Sequence, residues 1–288
     1  MSADPVSPLA PLALSTGEAL GAEEVKACCA SVYEHPAVRW LLAGELHPGG
    51  EGTTRRALDL IGVGVGDRLL DVASGAGASA LLAARERGAT VVGVDYGERS
   101  VLAATATADA QGLGARVSFV RGDAERLPLA DGSFDAVLCE CSLCTFPDKS
   151  RAASEMRRVL RPGGRVAIAD VTIDPERLPA ELLTPLATIA CVGSALTAPG
   201  YEALLGEAGL DVVAVESRDQ AAAELAERIE ERLRGARLLG LDRLAGSPFG
   251  ISEAIELIGL ARRAIADGAL GYSIIAARGE VDGTRWPG

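Results

Sequence analysis

Apolar residues fall into short runs closed by glycine, proline or an acid, and the stretches between them carry helical spacing. Leu69, Leu70 and Val72 predict a first buried strand, and Val91-Val92-Gly93-Val94-Asp95 a second. Val117 to Val120, Phe134 to Cys139 and Arg165 to Asp170 predict the third, fourth and fifth. Between them, Ala78 to Gly88, Ser100 to Gln111 and Lys149 to Leu160 read as helices, the last capped by Asp148. Short apolar strands alternating with such helices predict βαβ units in an α/β fold with a doubly wound, mostly parallel sheet.

Beyond Asp170 the pattern predicts a helical stretch containing Cys191, then a helix after Thr197-Ala198-Pro199 with proline in its first turn. Val212 to Val215 and Gly271 to Ala277 supply two further strands, seven in all. Residues 219 to 267 interrupt the sheet with two helices, marked by Leu225, Ile229 and Leu233 and by Ile255, Ile258, Ala261 and Ile265. Their apolar stripes suit core packing, a substrate lid or the contact of a homodimer. At the front, Glu23 to Leu42 is helical with a break at His35-Pro36, and Thr53 or Thr54 caps a helix running to about Ile61. The chain thus divides into a mobile tail (1–20), an N-terminal helical cover (21–61), a core (62–218), a helical insertion (219–269) and a last strand with its tail (270–288).

Composition narrows the partners. The formal net charge of −12 and the lack of a basic patch argue against a nucleic-acid surface. No apolar run approaches the ~20 residues that span a bilayer, and no cationic, then apolar leader is visible, so a cytoplasmic protein is expected. The six cysteines then read as free thiols rather than disulfides.

The candidate chemistry begins at Asp67 to Ser79, D-R-L-L-D-V-A-S-G-A-G-A-S. A strand, a glycine turn and a helix start form a seat for a nucleotide-like cofactor, because glycine admits a ligand close to the backbone and the helix start offers unpaired N–H groups. Gly75 to Ala80 also satisfies the dinucleotide pattern, which alone is weak. Asp71 discriminates. A carboxylate just upstream of the turn repels a pyrophosphate and attracts the ammonium and sulfonium of S-adenosylmethionine. Asp95 after the second strand suits both ribose hydroxyls, and Asp123-Ala124 after the third suits the adenine amino group.

The segments D-V-A-S-G-A-G, V-G-V-D, G-D-A-E-R-L-P, F-D-A-V-L and L-R-P-G-G-R-V-A-I-A-D resemble the class I S-adenosylmethionine-dependent methyltransferases, from about Gly66 to Asp170. The resemblance implies that Asp71, Gly75 and Gly77 contact the methionine part, Asp95 and Tyr96 the ribose, and Asp123 and Ala124 the adenine. Ala73 stands where that family usually has glycine, and a slightly wider turn is expected there. Cys139, inside the fourth strand, is counted with this wall and also carries a plain packing reading.

The acceptor is sought among the thiols. No His–Asp dyad is readable, and His35 and His47 read as loop or core residues. Tyr33, Trp40 and the His47-Pro48-Gly49-Gly50 loop are cleft candidates without a spacing argument. Cys141 and Cys144 follow the fourth strand at the cleft edge, and Cys191 can fold back over it. The run from Cys141 to Lys149 (C-S-L-C-T-F-P-D-K), with A-C-V-G-S-A-L around Cys191, resembles arsenite methyltransferases. That resemblance implies Cys191, Cys141 and Cys144 as acceptor-handling thiols, with Cys28 and Cys29 joining Cys191 as further metalloid ligands. Thiolates suit a soft, thiophilic centre. The chain departs from that family in having no cysteine after Cys191 and in its 219–267 helices. Carbon, oxygen or nitrogen methylation of a quinone-like or natural-product molecule, and an NAD-type oxidoreductase, stay open as alternatives.

Overall fold

The computed structural model describes residues 21–42, 47–183, 191–241 and 250–280. The expected tails at 1–20 and 281–288, and residues 184–190 and 242–249 of the predicted helical stretches, lie outside the described residues. In chain order the elements are α1 (Ala22–Glu34), α2 (Pro36–Leu41), α3 (Gly50–Leu60), β1 (Arg68–Val72), α4 (Ala78–Arg87) and β2 (Thr90–Asp95). Next come α5 (Glu98–Ala110), β3 (Val117–Arg121), β4 (Phe134–Glu140), α6 (Lys149–Val159) and β5 (Leu160–Ile173). The chain continues with α7 (Ala198–Glu207), β6 (Leu210–Ser217), α8 (Asp219–Leu238), α9 (Ile251–Ala266) and β7 (Leu270–Gly279).

The sheet has seven strands in the order β3-β2-β1-β4-β5-β7-β6. β1 to β5 are parallel, and β7 runs antiparallel between β5 and β6. Alternation along each strand splits the core into two layers. Leu69 and Leu138 join Leu81, Leu82 and Val91 on the α3–α4 side. Leu70, Val72 and Val137 join Met156, Ile168 and Tyr201 on the α6–α7 side. Burial on both faces explains why these strands are near-continuous apolar runs. The strand order reverses between β1 and β4, the place where sheets of this type open a crevice at their carboxyl ends.

Three expectations change in detail. Thr53 and Thr54 lie inside α3, not at its start, because Gly49 takes a left-handed φ of 78° and begins the helix four residues earlier than Thr53. The Arg161-Pro162-Gly163-Gly164 segment is absorbed into β5, where the register to β4 shifts. Cys191 sits in a turn at a φ of 68° and is not helical. Asp148 does cap α6, accepting from the Arg151 N–H at 2.8 Å. Among the described residues no helix is long and apolar enough to cross a membrane.

Candidate functional site

A cavity of about 360 Å³ opens at the carboxyl ends of β1, β2, β3 and β4 and is covered by α1. Ala73 and Gly75 of the turn after β1, Asp95 and Tyr96 after β2, and Asp123 and Ala124 after β3 all line it. The turn is left-handed at Ala73 (φ 56°), Gly75 (52°) and Gly77 (83°). Ala73 therefore keeps the backbone shape a glycine would take, at a steric cost on the order of 1 kcal/mol. Gly77 has a different duty: a Cβ there would meet Phe119 Cζ at 2.5 Å. Its bareness lets β3's aromatic side chain pack beneath the turn, behind the cavity wall.

Asp95 is locked in place. Its Oδ2 accepts from the Gly75 N–H at 2.7 Å and its Oδ1 from the Gly97 N–H at 2.8 Å. Burial nonetheless raises its pKa, since the two amides offset only part of the desolvation. Asp71 also stands behind the wall, with Oδ2 buried and unpartnered. Burial first, and then Glu140 and Asp95, push its carboxyl well above the usual range. Asp123 already has partners: Oδ1 accepts from the Glu125 N–H at 2.9 Å and Oδ2 from Lys26 Nζ at 2.8 Å.

Cys139 is corrected. It lies in the α6–α7 core, fully buried, with Sγ 3.1 Å from Ser142 Oγ, and does not reach the cavity. Side chains along β4 alternate, so the neighbouring Glu140 faces the cavity and Cys139 faces away.

Three thiols meet beside the cavity: Cys141 lines it, while Cys144 and Cys191 are buried behind Cys141 and do not. Cys141 Sγ lies 3.8 Å from Cys191 Sγ, and Tyr33 Oη of α1 lies 3.1 Å from Cys191 Sγ. Cys144 packs with Cys191 and Ala195 in the same cluster. Among the described residues, Ala73, Cys141 (φ 50°) and Cys191 are the non-glycine residues with positive φ; the first two line the cavity and the third packs against Cys141. Backbone strain of this kind persists only where surrounding structure enforces it. Hydrogen bonds from Cys141 and Cys144 hold the Cys191 thiol well below its ordinary pKa against burial, helped by Tyr33 and the Lys149 charge. The cluster thus singles out Cys191 as its most acidic thiol, while the Cys141 and Cys144 thiols are pushed up, Cys141 by its bond to Cys191 and Cys144 by burial.

Cys29 lines the cavity, and its thiol is pushed up to about 12, by burial first and the Cys191 charge second. Cys28 packs with Cys29, Val25 and Val32 and does not line the cavity. Among the described residues no group of three or more His, Cys, Asp or Glu is arranged to hold a metal ion. Trp40 is exposed beneath the Arg232 guanidinium and does not line the cavity. Lys26, Glu34 and Glu140 also form the wall and were not predicted. Glu140 gave the same signal as the other acids, a carboxylate at a strand end; the two α1 residues gave none, because helix docking is not written in local spacing.

Residues 70–168 match the family model described as a methyltransferase domain. The methyltransferase GfsG of Streptomyces halstedii is 36% identical over 166 residues, 57% of this chain and 60% of that one. The 27-O-demethylrifamycin SV methyltransferase of Amycolatopsis mediterranei is 32% identical over 235 residues, 79% of this chain and 84% of that one. An arsenite methyltransferase of Halobacterium salinarum is 37% identical over 161 residues, which cover 54% of this chain and only 40% of the relative. Among solved structures, the [4+2]-cyclase SpnF superposes with a TM-score of 0.70 at 24% identity, over 91% of this chain and 98% of that one. The Haemonchus contortus phosphoethanolamine N-methyltransferase 2, in complex with S-adenosyl-L-methionine, gives 0.71 at 22% identity, over 88% and 57%.

Proposed function

The chain belongs to the class I S-adenosylmethionine-dependent methyltransferases, and we propose that its acceptor is a trivalent arsenical held by Cys141 and Cys191. The bound cofactor supplies an electrophilic methyl group on a sulfonium. Asp95 and Tyr96 would hold its ribose and Asp123 and Ala124 its adenine, with the Ala73–Gly75 turn against the methionine end. The orphaned Asp71 oxygen beneath that turn supports a cationic ligand there.

The observation that carries the acceptor is the 3.8 Å approach of two sulfurs from different parts of the chain, both on strained backbone. A soft metalloid bonds deprotonated thiols, and Cys191 is the one held ready to lose its proton. Two thiols would displace two arsenic-bound hydroxyls, which leave as water with the thiol protons, and the arsenic would keep its lone pair to take the methyl group. Cys144 packs in the same cluster as Cys191, and Cys29 lines the cavity from the cover helix. A cavity of this size, once it holds the cofactor, suits an acceptor of few atoms.

A second reading, methylation of a natural product, is favoured by one observation: the rifamycin methyltransferase aligns over most of both chains. The NAD-type alternative is set aside with the family. A screen with labelled S-adenosylmethionine decides between the acceptors. Arsenite with a thiol reductant is expected to yield methylated arsenic; label found only on polyketide or quinone acceptors would overturn the arsenical reading.

A further inference from the structure

Glu140 ends β4 and turns toward α3 and α4, where neutral donors close on it. Ser79 Oγ donates to Oε2 at 2.6 Å, and Thr54 Oγ1 lies 3.2 and 3.1 Å from Oε1 and Oε2. His47 Nε2 stands 3.8 Å from Oε2. The side chain is 4% exposed and forms part of the cavity wall, beside Cys141. On the adjoining strand Asp71 is as deeply buried, and one of its oxygens has no partner. Among the described residues neither carboxyl is paired with a lysine or arginine.

Hydroxyl groups orient a carboxylate but bring no positive charge. Two buried acids without a fixed cation are costly unless a ligand brings one. The ligand's direction follows from the sheet: the strand order sets Asp123, Asp95, the Ala73–Gly75 turn and Glu140 in sequence along the cavity. A cofactor with its adenine at Asp123 therefore ends at Glu140. A sulfonium has no hydrogen to donate, whereas an ammonium needs acceptors, and Glu140 keeps lone pairs free for it.

We propose that Glu140, oriented by Ser79 and Thr54 and backed by Asp71, receives the α-ammonium of the cofactor's amino-acid end. This assignment rests on the cofactor seat described above and is independent of the acceptor. Calorimetry with S-adenosylhomocysteine and 5′-methylthioadenosine tests it, because the second ligand lacks only the amino-acid end. Glu140→Gln is expected to weaken S-adenosylhomocysteine at least tenfold and to leave 5′-methylthioadenosine within twofold. Ser79→Ala, which removes only an orienting donor, is expected to show the same selectivity with a smaller loss. Equal weakening of both ligands, or no weakening of S-adenosylhomocysteine by Glu140→Gln, would overturn the assignment. Failure of the unmodified protein to bind either ligand would overturn the cofactor seat with it, and is told apart by that control.

Discussion

Lys26 of α1 donates to Asp123 at 2.8 Å and pairs with Glu125 at 2.6 Å, so the helix over the cavity is fastened to the acid at the end of β3. Burial works to lower this ammonium, yet the bonds to Asp123, Glu125 and Glu23 outweigh it and hold the pKa above the ordinary lysine range. The cover is fastened again where Glu34 Oε1 accepts from the Ser100 N–H at 3.0 Å and where Tyr96 Oη donates to Glu23 at 3.1 Å. Lys26→Met should release this end of α1, at a cost of about 1–3 kcal/mol for a partly shielded pair. Hydrogen exchange in residues 22–34 should then quicken while β1 and β4 stay protected; unchanged exchange would show that the pair does not hold the cover.

Cys141→Ser and Cys191→Ser should each lower arsenite methylation on the order of a hundredfold, roughly 3 kcal/mol of transition-state stabilisation. Cofactor affinity, measured by calorimetry, should change little, because Asp95 and the glycine turn are untouched. Cys28→Ser should leave the rate near wild type, since that thiol does not line the cavity.

Tyr33→Phe removes a hydroxyl 3.1 Å from the Cys191 sulfur. The thiolate loses a donor, so its pKa rises toward the ordinary thiol value. Alkylation of Cys191 by iodoacetamide should then require a higher pH than in the wild type. A profile that does not move would mean that Tyr33 does not stabilise the charge.

Asp170 supplies a stability signature. Burial, with the Cys191 charge second, raises its carboxyl to about 7, although the Cys144 and Val171 N–H groups work against the shift. A raised acid favours the folded state fully below its unfolded value, and that contribution is lost as pH climbs through the folded value. Between about pH 4 and 7 this single group removes about 4 kcal/mol of stability. Asp170→Asn should flatten that part of the denaturation profile; an unchanged slope over pH 4–7 would refute the assignment.

Two turn substitutions should act in opposite directions. Gly77→Ala sets a Cβ against Phe119 and adds left-handed strain, which should cost about 2–4 kcal/mol in denaturant unfolding. Ala73→Gly relieves strain at a φ of 56° and should be neutral or stabilising by up to about 1 kcal/mol.

The central strands were legible because burial on both faces leaves them almost purely apolar, and two of the wall's acids, Asp95 and Asp123, because each follows a strand. Gly49 hid the start of α3, since a left-handed glycine begins that helix where an oxygen cap at Thr53 or Thr54 was expected. Cys139 and Glu140 are neighbours with opposite fates, decided by the two-residue period of β4 once its facing is known. The meeting of Cys141 with Cys191 and Tyr33 was not legible as a distance, because it depends on how α1 and the segment after β5 return to the sheet.

β6 and β7 are adjacent strands, joined not by a tight turn but by the whole excursion that contains α8 and α9. An excursion whose two ends emerge side by side from one sheet edge can be lengthened, shortened or exchanged with little strain on the core, because each doubling of its length adds only about 0.6 kcal/mol of closure entropy. In evolutionary terms this edge is a graft site. Lineages sharing the same catalytic end of the sheet can diverge here independently.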